Sequence, residues 1–510
     1  MKTVRINGSD LTVQSAVSII EGNEKISLSS GARSKIKSSR DLVEKWLEQG
    51  EVIYGITTGF GEFKDVKIPF NEIEILQRNL ILSHSAGVGS YLPDNIVRLM
   101  LLFRINALVK GFSGVRLSLI NFMVEFFNSG IVPVIPSRGS VGSSGDLAPL
   151  SHLALCFIGE GYAKFNNEIM TSSQALELAG LKPVKLTAKE GLALINGTQM
   201  MSAFLCKSVF DSMYLSKLAD ISGSLSLEAM LGTSRAFDPK LQRARPHKGQ
   251  SKTASNLRKL LAKSEIMDSH KDCGKVQDAY SLRCMPQVHG ATKDIIAYCK
   301  NVTEIEINSA TDNPLIFPET GEHIEGGNFH GQPVALASDF LKIGVSELGN
   351  ISERRIARLV DGSLSGLPRF LTDSGGLNSG LMIAQYTTAA LASENKILCH
   401  PASVDSIPTS ANQEDHNSMG SIASRNLFAV VNNVKSILAI EILCATQGID
   451  YHRPLKSGRG AEVAYTLIRS AVPHLKRDVI VSEVIEKISA VVFNPEFISQ
   501  IENSCGVLDW

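Results

Sequence analysis

Several things this chain lacks narrow what it can be. It has no charge excess: its 510 residues carry 51 Lys plus Arg and 51 Asp plus Glu, a net charge of zero. A general nucleic-acid or anionic-membrane surface would call for a basic surplus, so neither partner is expected. No secretory leader is expected either, because the opening MKTVRINGSDLTVQ is polar with no apolar core. No run of about 18 uncharged apolar residues occurs, so no membrane-spanning segment is expected. Its eight cysteines form no CxxC pair, which argues against a zinc ribbon or a small disulfide scaffold. Reduced thiols in a cytoplasmic protein are the simplest reading. There is no internal repeat.

What is present reads as helix. The chain is 44% hydrophobic, enough for a large core and, at this length, for more than one domain. In PDNIVRLMLLFRINALVKG, Pro93 and Asp94 suit a first turn. Ile96, Met100, Phe103 and Ala107 then repeat at helical spacing before Gly111 stops the run. Similar stretches cover 197–232, 333–362, 377–398 and 421–447. The segment 380–398 has few charges and many small residues, as expected of a helix buried on most sides. Strand-like pieces are short: TVRING, LTVQ and IVPVI. The expected fold is therefore mainly α, a long-helix bundle core (111–510) with a smaller mixed N-terminal portion (1–110). The basic stretch 238–262 reads as a solvated connector.

Five loops dense in Gly, Ser, Thr and Asn interrupt the helices, at 54–63, 137–149, 195–199, 324–333 and 409–421. So many in a helical protein point to backbone gathered around a pocket. The second of them, SRGSVGSSGDLAP, has three readings. A phosphate cradle would need GxxxxGK[ST], which is absent, and Asp146 puts negative charge where the phosphate would sit. Ser144 or Asp146 could simply cap the helix that begins near Ala148. Or the backbone itself reacts. The Gly145 nitrogen attacks the Ser143 carbonyl carbon, a turn that glycine permits, and one water is lost as a five-membered ring closes. A second water leaves from Ser144, and an exocyclic methylene results. Asp146 lies beside the reacting atoms and can move protons. QEDH at 413–416 clusters possible metal ligands, but no HExxH or related spacing supports a metal site.

The third reading has a precedent. SVGSSGDLAPLSHLAL resembles the prosthetic-group loop of the aromatic amino acid lyases, the phenylalanine and histidine ammonia-lyases, and most of all the histidine-specific ones. YGITTGFG, NLILSHSAGVG, LINGTQ, VQDAYSLRCMPQVHG, NSATDNPLIF, GGNFHGQP, LASENK and SANQEDHNSMGS resemble that family's motifs in the same order over nearly the whole chain. The resemblance implies a fumarase/aspartase-like helical architecture, with the mixed portion carrying the loop region. It implies a 4-methylideneimidazol-5-one group (MIO) self-formed from Ser143, Ser144 and Gly145, with no external cofactor. It also implies loss of ammonia from L-histidine to give trans-urocanate, the first step of histidine degradation, in a homotetramer whose active sites are shared between subunits. The family triad is usually Ala-Ser-Gly, and here residue 143 is serine. Ring closure uses only the carbonyl of residue 143, so this change leaves a hydroxymethyl on the group.

By the same resemblance, Tyr54 is a base for the β-proton and Tyr280 a second catalytic group. Arg283 has the planar fork that suits a substrate carboxylate. Asn196 polarises the MIO carbonyl and contacts the substrate carboxylate, and Gln277 and Phe329 line the substrate pocket. Asn313 and Asp146 support the group. His84 and Glu414 recognise the ring, since a carboxylate suits an imidazole N–H and would be stranded by a bare phenyl. Taken singly, each residue also has an ordinary role: a buried tyrosine, a surface arginine, an Asn-Gly turn, a core histidine, an internal salt bridge at Glu414.

Overall fold

Long stretches of apolar residues at helical spacing leave helix as the state that buries most surface. The computed structural model describes residues 2–510. Its long helices include Ser30–Gln49, Asp94–Leu108, Gln199–Ala229, Met285–Glu306, Gln332–Val360, Met382–Leu398 and Gly420–Ile449. The fold is mainly α with a long-helix bundle and four small sheets among the described residues. Asp94–Leu108 starts directly after Pro93, as its sequence leads one to expect. Gly111 follows it at φ 82°, where a Cβ would lie 2.8 Å from the backbone of Lys35.

Packing groups the residues into two units. One comprises the chain up to Phe210, Lys300–Asp339 and Pro401–Arg425; the other holds Asp211–Cys299, Phe340–His400 and Asn426–Trp510. This grouping differs from a division at residue 110, because the chain leaves each unit and returns to it.

In the first unit Thr3–Ile6 pairs in parallel with Lys25–Leu28. LTVQ is not a strand. Thr12 caps the helix Val13–Glu21 instead, its hydroxyl accepting from Ser15 N–H while Ser15 Oγ accepts from Thr12 N–H. Two satisfied helix-end donors outweigh a short alternation. Within IVPVI, Val132–Pro133 does pair, with Tyr162–Phe165. That strand continues into a hairpin with Glu168–Thr171, turned by Asn166 and Asn167 at φ 50° and 66°. Both positive values are what a two-residue primed turn needs, and asparagine tolerates them. Three helices then pack on one another: Ile73–His84, Leu147–Phe157 and Glu190–Ile195. Fully buried Gln77 locks the first to the third by accepting Gly191 N–H at 2.8 Å. As a result His84, Asp146 and Asn196 all lie at helix ends of one packed triplet.

In the second unit the basic stretch is not a solvated connector. It forms Pro239–Ala244 and Lys248–Leu260, and the latter holds the end of the chain. Lys252 Nζ donates to Trp510 O at 2.9 Å and sits over its ring, while Asn256 donates to Asp509 O at 2.7 Å. Met382–Leu398 also departs from expectation. Within the single chain only Ala384, Thr388 and Asn395 of it are buried, and Tyr386 and Ile397 are 61% and 74% exposed. Small residues suit any close helix packing and do not say which surface supplies it.

One helix, Gly420–His452, is long and apolar enough by length and composition to cross a membrane, which the search for uncharged runs does not anticipate. Of its most apolar stretch 67% is buried inside the protein. It carries Glu441, fully buried, which accepts from Arg355 Nη2 at 2.9 Å and from Ser226 and Ser352 at 2.6 Å. Replacing the carboxylate by an amide strands the buried guanidinium. Glu441→Gln is therefore expected to destabilise the fold by about 3–5 kcal/mol, read by urea denaturation.

Candidate active site

The ends of that helix triplet, with three loops from elsewhere in the first unit, line an open cavity of about 960 Å³. Tyr54, His84, Ser143, Ser144 and Asn196 line it, together with Asn313, Phe329 and Glu414. Eight of the residues singled out in the sequence thus share one space. Gln277, Tyr280 and Arg283 are not among its lining residues. They lie in the second unit, where Gln277 is exposed, Tyr280 is 71% exposed and the Arg283 guanidinium sits 4.6 Å over the Tyr280 ring.

The Ser143-Ser144-Gly145 turn is clamped by backbone. Asp146 N–H donates to Gly197 O at 2.7 Å, and Gly197 N–H donates to Ser144 O at 3.2 Å. Gly145 takes φ 77°, and a Cβ there would fall 2.1 Å from Gly197 O. Only glycine fits. On the other side Met419 N–H donates to Val141 O at 2.9 Å and Ser418 Oγ to Gly142 O at 3.1 Å. The Asn196 amide, oriented to satisfy both of its atoms, donates to Ser144 O at 2.9 Å and accepts from Asn313 N–H at 3.3 Å. The Ser144 carbonyl oxygen therefore faces two donors.

Asp146 is buried and occupies the N-cap position of Leu147–Phe157, yet its side chain makes no cap hydrogen bond, so the capping reading fails for it. Its carboxylate instead accepts Met201 N–H at 2.9 Å and Ser421 Oγ at 2.7 Å. Desolvation by burial raises its pKa from 3.8 to about 6, against the pull of those hydrogen bonds. A carboxyl poised there can both give and take a proton near neutral pH.

Glu414 faces the triad. Its Oε2 accepts from Thr409 Oγ1 at 2.8 Å and from Ser143 Oγ, and its Oε1 from Ser144 Oγ at 3.4 Å. The sequence did not single out Thr409, although it stands in the 409–421 loop, nor any side-chain role for Ser143. Burial lowers the pKa of His84, while the Glu414 charge acts to raise it. The Tyr54 hydroxyl accepts Gly61 N–H at 3.4 Å, and burial raises its pKa, with Glu414 and Asp312 adding to the rise. As the chain stands alone, Tyr54 is held as the neutral phenol.

A family model described as aromatic amino acid lyase matches residues 11–470. The chain belongs to that family. It is 51% identical over 504 residues, 99% of each chain, to the histidine ammonia-lyase of Alkaliphilus oremlandii. With that of Caldanaerobacter subterraneus it shares 53% over 478 residues, 94% of each. Among solved structures, histidine ammonia-lyase from Trypanosoma cruzi matches with a TM-score of 0.92 at 44% identity, covering 98% of this chain and 95% of that one. A tyrosine aminomutase from Streptomyces globisporus matches at 0.93 and 37%, covering 99% of both.

The family uses the MIO group, and the residues here fit it. Ser144 carries the hydroxyl to be lost, and Gly145 already occupies a turn that admits no Cβ. Ser144 O, which would become the ring carbonyl oxygen, already faces its donors.

The burial of Asp146 gives a pH test. Its folded pKa lies above its unfolded one, so ionisation opposes folding. That cost is absent below the unfolded value, grows as pH rises and is complete above about 6. Between pH 4 and 7 the parent is expected to lose roughly 2 kcal/mol of stability relative to Asp146→Asn, measured by urea denaturation across pH.

Proposed function

We propose that this protein eliminates ammonia from L-histidine to give trans-urocanate. The observation that carries this reading is a reactive turn, clamped between Gly145 and Gly197, that opens on a cavity beside the hydrogen-bonded carboxylate of Glu414. The β-hydrogen of the substrate is scarcely acidic and ammonia leaves poorly from a saturated carbon. An MIO group made from Ser143, Ser144 and Gly145 supplies an electrophilic methylene that the substrate can engage.

The chain's own side chains do the rest. Glu414 accepts the imidazole N–H; a phenyl ring would leave that carboxylate desolvated and unpaired, which disfavours phenylalanine and tyrosine. His84, at the end of its helix, borders the same ring position. Asn196 and Gly197 N–H hold the Ser144 carbonyl oxygen. Phe329 bounds the cavity, and Asn313 steadies the Asn196 amide and accepts Gly326 N–H at 2.7 Å.

Gln277, Tyr280 and Arg283 enter from a second copy of the chain in a homotetramer. Support comes from the exposure of Tyr280 and Gln277, and from the unpartnered apolar side chains on Met382–Leu398. Arg283 then takes the substrate carboxylate. Its positive charge opposes the desolvation that raises the Tyr54 pKa, so Tyr54 becomes able to take the β-proton only in the assembled site. Eight cysteines, four of them buried and no two in a CxxC pair, suit a reducing cytoplasm.

Incubation with L-histidine should build up urocanate absorbance, with far slower cinnamate formation from phenylalanine. Glu414→Ala should lower histidine turnover about 100-fold, the scale of one charge-assisted hydrogen bond of ~3 kcal/mol. Comparable rates on the two substrates would overturn the assignment. Ser144→Ala cannot lose the second water, so activity should fall by orders of magnitude while the fold survives, and intact mass should register the difference. Sharing of sites has its own check. Ser144→Ala co-expressed with Tyr280→Phe should recover part of the activity, since some mixed sites contain neither change. No recovery in verified mixed oligomers would count against it.

A further inference from the structure

An arginine lies beneath the reactive turn without touching the cavity. Arg104, on Asp94–Leu108 and 0% exposed, donates from Nη1 to the Asn196 carbonyl oxygen at 2.7 Å and to Gln199 Oε1 at 3.0 Å. Its Nε and Nη2 have no partner. Burial draws its pKa down only to about 10, so it stays charged at neutral pH. Asp312, the carboxylate whose charge acts on it, is already paired with Lys189 Nζ at 2.7 Å and both are buried. An arginine this deep with two idle nitrogens is not explained by packing, since a leucine would fill the space without the desolvation cost.

Its contact explains it. The Asn196 carbonyl and the Gly197 N–H belong to one peptide unit. The guanidinium sits on the oxygen end, and the N–H end points at Ser144 O, 3.2 Å away. A charged donor on a carbonyl polarises the whole amide and strengthens donation from its N–H. Gly197 makes the approach possible, because a Cβ there would stand 2.6 Å from Arg104 Nη1.

We propose that Arg104 is a positioning residue that polarises the Ser144 carbonyl through the Asn196–Gly197 peptide. Polarising that carbonyl does two things. It acidifies the Ser144 Cα–H, so that the Cα proton and the Oγ hydroxyl leave together as water and the Cα=Cβ bond forms. It also draws electron density from the resulting methylene and keeps that carbon electrophilic. The inference rests on the MIO reading above.

Three variants test it: Arg104→Gln, Arg104→Lys and Gln199→Glu. The last keeps the arginine in place and sets a carboxylate against Nη1, cancelling its charge with little change of shape. Each is read by intact mass, by the ultraviolet band of the matured group without substrate, and by kcat and KM for L-histidine. Arg104→Gln and Gln199→Glu should mature more slowly or incompletely and shift the band. The matured fraction should lose kcat on the order of tenfold with KM little changed, less than the 10²–10³ lost with a direct oxyanion donor. Arg104→Lys keeps the charge and should recover most of both. If Arg104→Gln does not fold, Gln199→Glu decides. Full maturation, an unmoved band and parental kcat in Gln199→Glu would overturn the proposal. So would a loss of activity confined to KM. A parent chain that shows no loss of two waters would instead overturn the MIO reading itself.

Discussion

The arrangement depends on two glycines meeting back to back. Gly145 and Gly197 are joined as an isolated parallel bridge, with Asp146 N–H on Gly197 O and Gly197 N–H on Ser144 O. A side chain on either residue would fall inside its neighbours. That contact sets the conformation of the turn and aims a donor at the Ser144 carbonyl. It also leaves Asp146 facing inward, where Met201 and Ser421 hold its carboxylate. Chemistry on a backbone needs such rigidity, because a mobile loop of serine and glycine spreads over many conformations and rarely presents the reactive one.

Rigidity at this point is supplied by helices rather than by the loop. Ile73–His84, Leu147–Phe157 and Glu190–Ile195 pack together and deliver His84, Asp146 and Asn196 from their ends. Buried polar groups keep the register: Gln77 on Gly191, Lys189 on Asp312, Arg104 on Asn196. Each is costly to bury alone and is retained where its partner is a backbone or charge at the site. The cavity electrostatics follow. A carboxylate at Glu414 and a neutral phenol at Tyr54 make an acceptor-rich pocket that suits a cationic or N–H-bearing ligand.

Much of this was legible in the residues. The helices are long and strongly periodic, so their existence and rough limits follow from spacing. The glycine-rich loops announce a pocket, and six of the residues picked from them do line one cavity, joined there by His84 and Asn313. Short elements were less legible. LTVQ alternates like a strand, but Thr12 and Ser15 satisfy helix-end donors that the alternation cannot. The Asn166-Asn167 hairpin carried its signal in two asparagines without a glycine, which is easily read as loop. The helix at 382–398 has the composition of an interior, yet its apolar side chains face outward in the single chain.

The sequence by itself determined the helical class, the Ser143-Ser144-Gly145 triad as a candidate and the pool of polar residues around it, because these are properties of local spacing and residue type. Tertiary structure alone decided which groups meet and what charge they carry. Ser143 finds Glu414 across 271 residues, and Arg104 finds Asn196 across 92. Asp146 turns from a plausible helix cap into a buried carboxyl with a raised pKa. Desolvation and electric field are sums over neighbours brought together from distant parts of the chain, so no local pattern encodes them.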